Sequence, residues 1–372
     1  MLPDPGPDAL AASRALAGRI GAEIRASAGW IPFARYMELA LYEPGLGYYA
    51  GGSRKLGIAG DFVTAPEMGT LFARTLARQL AELLAAGDAI LEFGAGSGAL
   101  AEALLNALPA PAPYFILEPS AELAARQRER LGDRAKWLTR LPQRWRGVML
   151  ANEVLDAMPV HAVAWTPDGI LERGVRLANG KLAWSERPAA GELLAAAKPI
   201  PAALLPAGRY ESEIGLAACA WMRSAAQSLE RGAILVVDYG FPERELYHPQ
   251  RSSGTLMCHY RHHAHGDPFF LPGLQDITAH LDFSALARAA RESGLEVLGY
   301  ASQGRFLVNC GITEVLGEVD AENALRYAPL ASEAHRLLSP TEMGELYKVL
   351  ALGRGVEPPL LGFTQGDRSL TL

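Results

Sequence analysis

Apolar positions along the chain recur first at helical spacing. In "DALAASRALAGRIGAEIRASAG" and "TLFARTLARQLAELLAAG" they fall every three or four residues and each run closes in glycine, which predicts two amphipathic helices. The stretch between them, residues 30–69, is rich in Gly, Tyr and Pro and reads as long irregular binding loops. From Ala89 the pattern alternates. Ala89–Phe93 predicts a strand, 97–108 a helix, and "YFILEP" a second strand. "SAELAARQRERLG" predicts a helix with Ser120 as its N-cap, and "AKWLTRL" and "GVMLANEVL" give strands three and four. Such alternation implies a parallel sheet with right-handed crossovers and helices on both faces.

The period then shifts to two. "HAVAWTPDGILERGVRLANGKLAWSE" carries "PDG" and "NG" turn signals and predicts an antiparallel meander inserted after strand four. "SEIGLAACAWMRSAAQSLERG" reads as a helix closed by Gly232, and "AILVVDYG" as strand five. Residues 241–282 are dense in His, Pro, Phe and Gly and read as largely irregular. "SALARAARESG" predicts a helix, "LEVLGYASQ" a sixth strand, 323–338 and 340–349 helical stretches, and "YKVLALG" the last strand. The expected architecture is α/β: a doubly wound, Rossmann-like sheet domain over residues 88–372, preceded by a helical and loop extension over 1–87. Its insertions fall at about 157–210 and 241–283, after strands four and five.

Within the first strand and turn, "AILEFGAGSGAL", one carboxylate interrupts the apolar run. Burying Glu92 costs several kcal/mol unless something pairs with it. The glycines Gly94, Gly96 and Gly98 suit a strand–turn–helix that brings backbone close to a ligand, and Gly94, Gly96 and Ala99 loosely satisfy a dinucleotide fingerprint. Glycines alone do not separate a nicotinamide cofactor from S-adenosyl-L-methionine. Glu92 helps, because a carboxylate repels a pyrophosphate but attracts a sulfonium and an ammonium group. Glu118, at the end of "FILEP", stands where an acid accepts ribose hydroxyls, a feature shared by both cofactor classes. Asn152, Glu153 and Asp156 of "ANEVLDAMPV" fall at the carboxyl edge of the sheet, where ligands of such folds bind.

"LEFGAGSGALA" with "ILEPS" resembles the class I S-adenosylmethionine-dependent methyltransferases. "YMELALYEPGLGYY", "GDFVTAPEMGTLFA", "ANEVLDAMPV", "DYGFP", "GTLMCHYRHHAHGDPFFLPGLQDITAHLDFSAL" and "MGELYKVLALG" together resemble one branch, the MidA-like family of mitochondrial complex I assembly-factor arginine methyltransferases and their bacterial relatives. The resemblance implies an S-adenosyl-L-methionine-dependent protein-arginine methyltransferase whose client resembles a core subunit of respiratory complex I. It implies a cofactor site lined by Glu92, Gly94, Gly96, Gly98, Glu118, Pro119, Asn152 and Glu153. The "GDFVTAPE" stretch, with Asp61, Thr64, Pro66 and Glu67, would close over it, under the cover of residues 1–87. Ala65 departs from the serine common in the family.

An arginine substrate stays protonated at ordinary pH and offers no free lone pair. Carboxylates that grip its fork hold the attacking nitrogen in line and stabilise the accumulating charge. Glu153 and Asp156 are the candidates for this work, with Asp238, His280 and Asp282 as possible second members.

Composition narrows the classes further. The 372 residues are 49% hydrophobic and 20% charged, a globular balance, and a net charge of −6 without Lys/Arg runs excludes a nucleic-acid footprint. Cys219, Cys258 and Cys310 are scattered and odd in number, which fits a reducing compartment. With no signal, transit or membrane-spanning pattern, the expected location is the cytoplasm of a bacterial cell. His259, His262, His263 and His265 cluster without metal-ligand spacing and read as a polar substrate-facing loop, so no metal is expected. Phe33 and Met37 read as core, while Tyr48 and Tyr49 are open between packing and binding. A small-molecule methyltransferase, an assembly chaperone holding the cofactor as a structural ligand, and a nicotinamide dehydrogenase are the competing readings. Glu92 counts against the last.

Overall fold

The computed structural model describes residues 2–51, 64–200 and 208–372. At its centre the strands lie in the order Glu296–Ser302, Tyr347–Arg354, Leu229–Phe241, Trp145–Asn152, Ala89–Phe93, Tyr114–Leu117, Lys136–Leu138. The strand reversal falls at Ala89–Phe93 and Trp145–Asn152, so the crevice opens above the glycine turn, at the carboxyl ends of both. "YKVLALG" does form the last strand, but it is antiparallel to both neighbours, wedged between strands five and six. The sheet is therefore mixed rather than wholly parallel.

Both faces of the sheet are covered. Residues such as Ile90, Val148 and Leu235 pack on one side against the helix Leu71–Leu83, and Leu91, Met149 and Ile234 on the other against Leu216–Ser228 and Phe283–Glu292. The alternation of sides along each strand is what turns a continuous apolar run into a two-faced core. Ser120 caps its helix as expected, accepting from the Leu123 N–H at 3.3 Å.

The meander after strand four is present as His161–Thr166, Gly169–Ala178 and Lys181–Pro188, joined by Tyr210–Ile214. Ile31–Pro32 adds to its edge, pairing with Gly174 and Val175, so the N-terminal segment and the first insertion share one sheet and one core.

Four expectations fail locally. Gly232 does not close a helix: the helix is Leu216–Ser228, Ser212–Ile214 belongs to a strand, and Gly232 lies inside Leu229–Phe241. There it has φ +124°, and a Cβ would stand 1.9 Å from the Gly147 carbonyl oxygen, so glycine is required by strand approach. Residues 30–69 are not wholly irregular, since Phe33–Tyr42 is a helix that buries Phe33 and Met37. Residues 241–282 hold a three-stranded sheet, Met257–Tyr260, His263–His265 and Asp276–Thr278. Its hairpin turns through Arg261 and His262, both at positive φ, in place of the Asn-Gly that usually marks such a turn. Finally, 340–349 yields only the short helix Met343–Leu346 before the strand begins.

Candidate active site

The crevice holds a cavity of about 650 Å³, within the range of cofactor sites. Its floor begins with Glu92, which lies between Ile116 and Leu150 of the flanking strands and is 2% exposed. The Tyr114 hydroxyl donates to Glu92 Oε2 at 2.8 Å, and burial lifts the carboxyl to a pKa of about 8. No cation of the protein pairs with it among the described residues.

Beyond Glu92 the backbone turns sharply. Gly94 has φ +58°, and a Cβ there would press Val154 at 3.2 Å. Gly94 and Gly96 line the cavity. Gly98 does not; at φ +81° it is the N-cap of Ala99–Ala107 and acts through the turn alone. Glu118 lines the opposite side with Pro119. It accepts from the Ser120 N–H at 3.0 Å and from Gln127 Nε2 at 2.9 Å, and burial raises its pKa.

Strand four ends in Asn152, and Glu153 follows at φ +53°, a conformation that costs a non-glycine residue about 1 kcal/mol or more. Its N–H is held by the Val237 carbonyl at 2.9 Å. The side chain accepts from Tyr347 OH at 2.9 Å, from Asn152 Nδ2 at 3.3 Å and from the Ala65 N–H. Burial and the nearby Asp156 outweigh these donors and bring Glu153 to a pKa of about 7. The backbone of Ala65 thus supplies a contact at the very position where the expected hydroxyl is missing.

Asp156 is buried, lines the cavity and accepts from the Tyr239 hydroxyl and the Ala157 N–H. Asp238 lies behind it, fully buried, receiving the N–H groups of Leu155, Asp156 and Tyr239. Burial raises the pKa of both carboxyls, and the neighbouring Asp156 raises that of Asp238 further. Asp238 shapes the loop after strand four and does not face the cavity.

Thr64, Pro66 and Glu67 line the cavity around the one-turn helix Ala65–Met68, and Ser97 Oγ donates to Glu67 Oε1. Asp61 lies outside the described residues. His280 reaches the wall between the rings of Tyr239 and Phe241, at centroid distances of 5.2 and 5.3 Å. Burial, with Arg251 and Lys348 nearby, lowers its pKa to about 4, so it is neutral at physiological pH and a weak base. Asp282 stands apart from the cavity. It caps Phe283–Glu292, accepting from the Ala285 N–H at 2.9 Å.

Like Tyr347, two more residues at the site were not singled out by sequence reasoning. Asp276, on the strand Asp276–Thr278, joins the cavity wall and accepts from Tyr49 OH at 3.0 Å. Gln127 is fully buried behind the turn; its Nε2 donates to the Gly96 carbonyl and to Glu118, both at 2.9 Å, while Trp137 Nε1 donates to its Oε1. Nothing local marks either one, because each gains its meaning from a distant strand.

Six carboxylates, Glu67, Glu92, Glu118, Glu153, Asp156 and Asp276, therefore line one cavity, and no Lys or Arg does among the described residues. Four of them, Glu92, Glu153, Asp156 and Asp276, are held by a tyrosine hydroxyl. A tyrosine donates a hydrogen bond without supplying an opposite charge, so these carboxyls stay free to ionise toward an incoming cation. Asn152 Oδ1 is buried on the same wall with no partner among the described residues, an acceptor awaiting a donor. These residues fit S-adenosyl-L-methionine: acids for its cationic groups and Glu118 for the ribose.

The strand order, with an antiparallel strand between the fifth and sixth, and the acid-lined glycine turn define a class I S-adenosyl-L-methionine-dependent methyltransferase. The chain belongs to the family described as "Putative S-adenosyl-L-methionine-dependent methyltransferase", whose model matches residues 71–301. It is similar over its whole length to a protein from Burkholderia thailandensis crystallised with S-adenosyl-homocysteine, at 50% identity, with each chain fully covered and a TM-score of 0.94. It is 29% identical to the zebrafish mitochondrial protein arginine methyltransferase NDUFAF7, across 87% of this chain and 83% of that one. The human counterpart is 28% identical, across 88% and 80%. No helix of the described residues is long and apolar enough to cross a membrane.

Proposed function

We propose that this methyltransferase modifies an arginine side chain of a protein substrate, as its curated relatives are named for doing. The observation that supports the reading best is the cavity wall of six acids without a Lys or Arg among the described residues. A methyl donor carrying a sulfonium accounts for part of that charge. The remainder, Glu153 and Asp156 beside the rings of Tyr239 and Tyr347, suits a second cation such as a guanidinium.

In this reading S-adenosyl-L-methionine supplies an electrophilic methyl group and departs as neutral S-adenosyl-homocysteine. Glu153 and Asp156 accept hydrogen bonds from the guanidinium fork and hold one nitrogen in line with the methyl carbon. As the new N–C bond forms, one guanidinium N–H proton passes to Glu153, whose pKa of about 7 makes it the best-placed acceptor. Tyr347 and Asn152 keep that carboxylate oriented. His280 and Asp282, the other catalytic candidates, are left as a neutral wall and a helix cap.

The client suggested by the family resemblance is a respiratory complex I core subunit, met in the cytoplasm of a bacterial cell. Residues 1–87 act as the cover, through Tyr42 and Tyr49 on the cavity wall. Mass spectrometry of arginine methylation in cells with and without the protein tests the reading. A site lost with the gene and restored by purified protein supports it, and an unchanged arginine methylome overturns it.

A further inference from the structure

Two of the five large apolar side chains that stand exposed among the described residues share one place. Met257 is 40% exposed and Leu346 is 49% exposed, and both line the cavity. Single exposed hydrophobics are ordinary on a protein surface, but two on the wall of one cavity call for a ligand. They come from separate parts of the chain, Met257 from the start of Met257–Tyr260 and Leu346 from the end of Met343–Leu346.

A side chain that lines a cavity yet keeps so much surface open to water stands at its rim. The acids are the opposite case: Glu92 and Asp276 are each 2% exposed and Asp156 is 6% exposed. Phe241, Tyr239 and Tyr347 also line the wall, with Tyr239 and Tyr347 edge to face at 5.5 Å. The cavity therefore combines an apolar rim, aromatic walls and a floor of carboxyl groups. Its complement is a ligand with a cationic tip, an aliphatic stem and apolar shoulders.

We propose that Met257 and Leu346 form the docking edge for the protein substrate and select a segment whose target arginine is flanked by apolar side chains. The inference rests on the arginine reading above. An arginine stem passes the rings while its guanidinium meets the acids, and neighbouring apolar side chains cover the rim and remove it from water. Polar neighbours leave the rim wet, and a free cationic metabolite has no shoulders to cover it.

Two synthetic peptides of equal length test this, each with a single arginine, flanked on both sides by leucines in one and by serines in the other. Transfer of labelled methyl from S-adenosyl-L-methionine is followed for each. The leucine-flanked peptide is expected to show about tenfold higher kcat/KM, equivalent to about 1.4 kcal/mol. The double variant Met257→Ser/Leu346→Ser is expected to lose that preference while still binding S-adenosyl-homocysteine by calorimetry, which certifies its fold. Equal kcat/KM for the two peptides, or a preference that survives the double substitution, overturns the docking edge and leaves the arginine reading standing. No label on the arginine of either peptide, with S-adenosyl-homocysteine still bound, is the separate signature of a failed arginine reading and removes the docking edge with it.

Discussion

The Tyr347 hydroxyl donates to Glu153 Oε2 at 2.9 Å, joining residues 194 positions apart at the mouth of the sheet. This bond favours the charged carboxylate, and without it only Asn152 and the Ala65 N–H oppose the effect of burial. Tyr347→Phe therefore raises a pKa that already stands near 7. If the carboxylate is the working form, activity is lost as pH falls through that value. The acid limb of kcat/KM moves to higher pH in the variant, by up to about one unit, as a pH–rate profile would show.

Glu153→Gln keeps the shape and removes the charge. Methyl transfer is expected to fall by roughly 10²–10³-fold, while S-adenosyl-homocysteine affinity stays within a few-fold of wild type. Single-turnover assays and calorimetry separate the two quantities. Wild-type transfer in this variant would remove Glu153 from the mechanism.

Glu92 carries a linkage prediction. Its pKa in the free protein is about 8, and a cationic ligand favours the ionised form, so binding near pH 7 must expel a proton. Affinity for S-adenosyl-L-methionine should weaken as pH drops from 8 toward 6, by at most tenfold per unit. Calorimetry in buffers of different ionisation enthalpy reads the proton directly, and Glu92→Gln should abolish the release.

Gln127 ties the turn to Glu118, the acid proposed to meet the ribose. Gln127→Met preserves bulk but takes the side-chain donor from the Gly96 carbonyl and leaves Glu118 with the Ser120 N–H alone. S-adenosyl-homocysteine affinity should drop roughly tenfold. The sharper readout is an analogue lacking the ribose hydroxyls, whose penalty relative to the natural ligand should shrink in the variant. A general loss of stability would not produce that selectivity.

Gly232→Ala tests the close approach of strands four and five. The new methyl group meets the Gly147 carbonyl oxygen, backbone that cannot move aside cheaply. A loss of about 3 kcal/mol is expected, seen as a Tm lower by roughly 4 °C.

The sheet strands were legible because each is a short apolar run bounded by turn signals, as in Ala89–Phe93 and Glu296–Ser302. Glu92 was legible because a lone acid in such a run is costly. Gly232 misled because glycine ends helices and also permits crowded strands, and local sequence does not tell the two apart. The Arg261–His262 hairpin lacked the usual turn residues. Asp276, Gln127 and Tyr347 stayed hidden for another reason: their partners Tyr49, Glu118 and Glu153 lie on other elements, and only the assembled crevice pairs them.

The cavity draws its walls from nearly the whole polypeptide, Tyr42 and Tyr49 at one end and Leu346 and Tyr347 at the other. A chain cut before Tyr347 has neither the phenol that steadies Glu153 nor the strand that Tyr347 begins, which joins strands five and six. A premature stop even a short way before Tyr347 therefore yields a silent product rather than a promiscuous one.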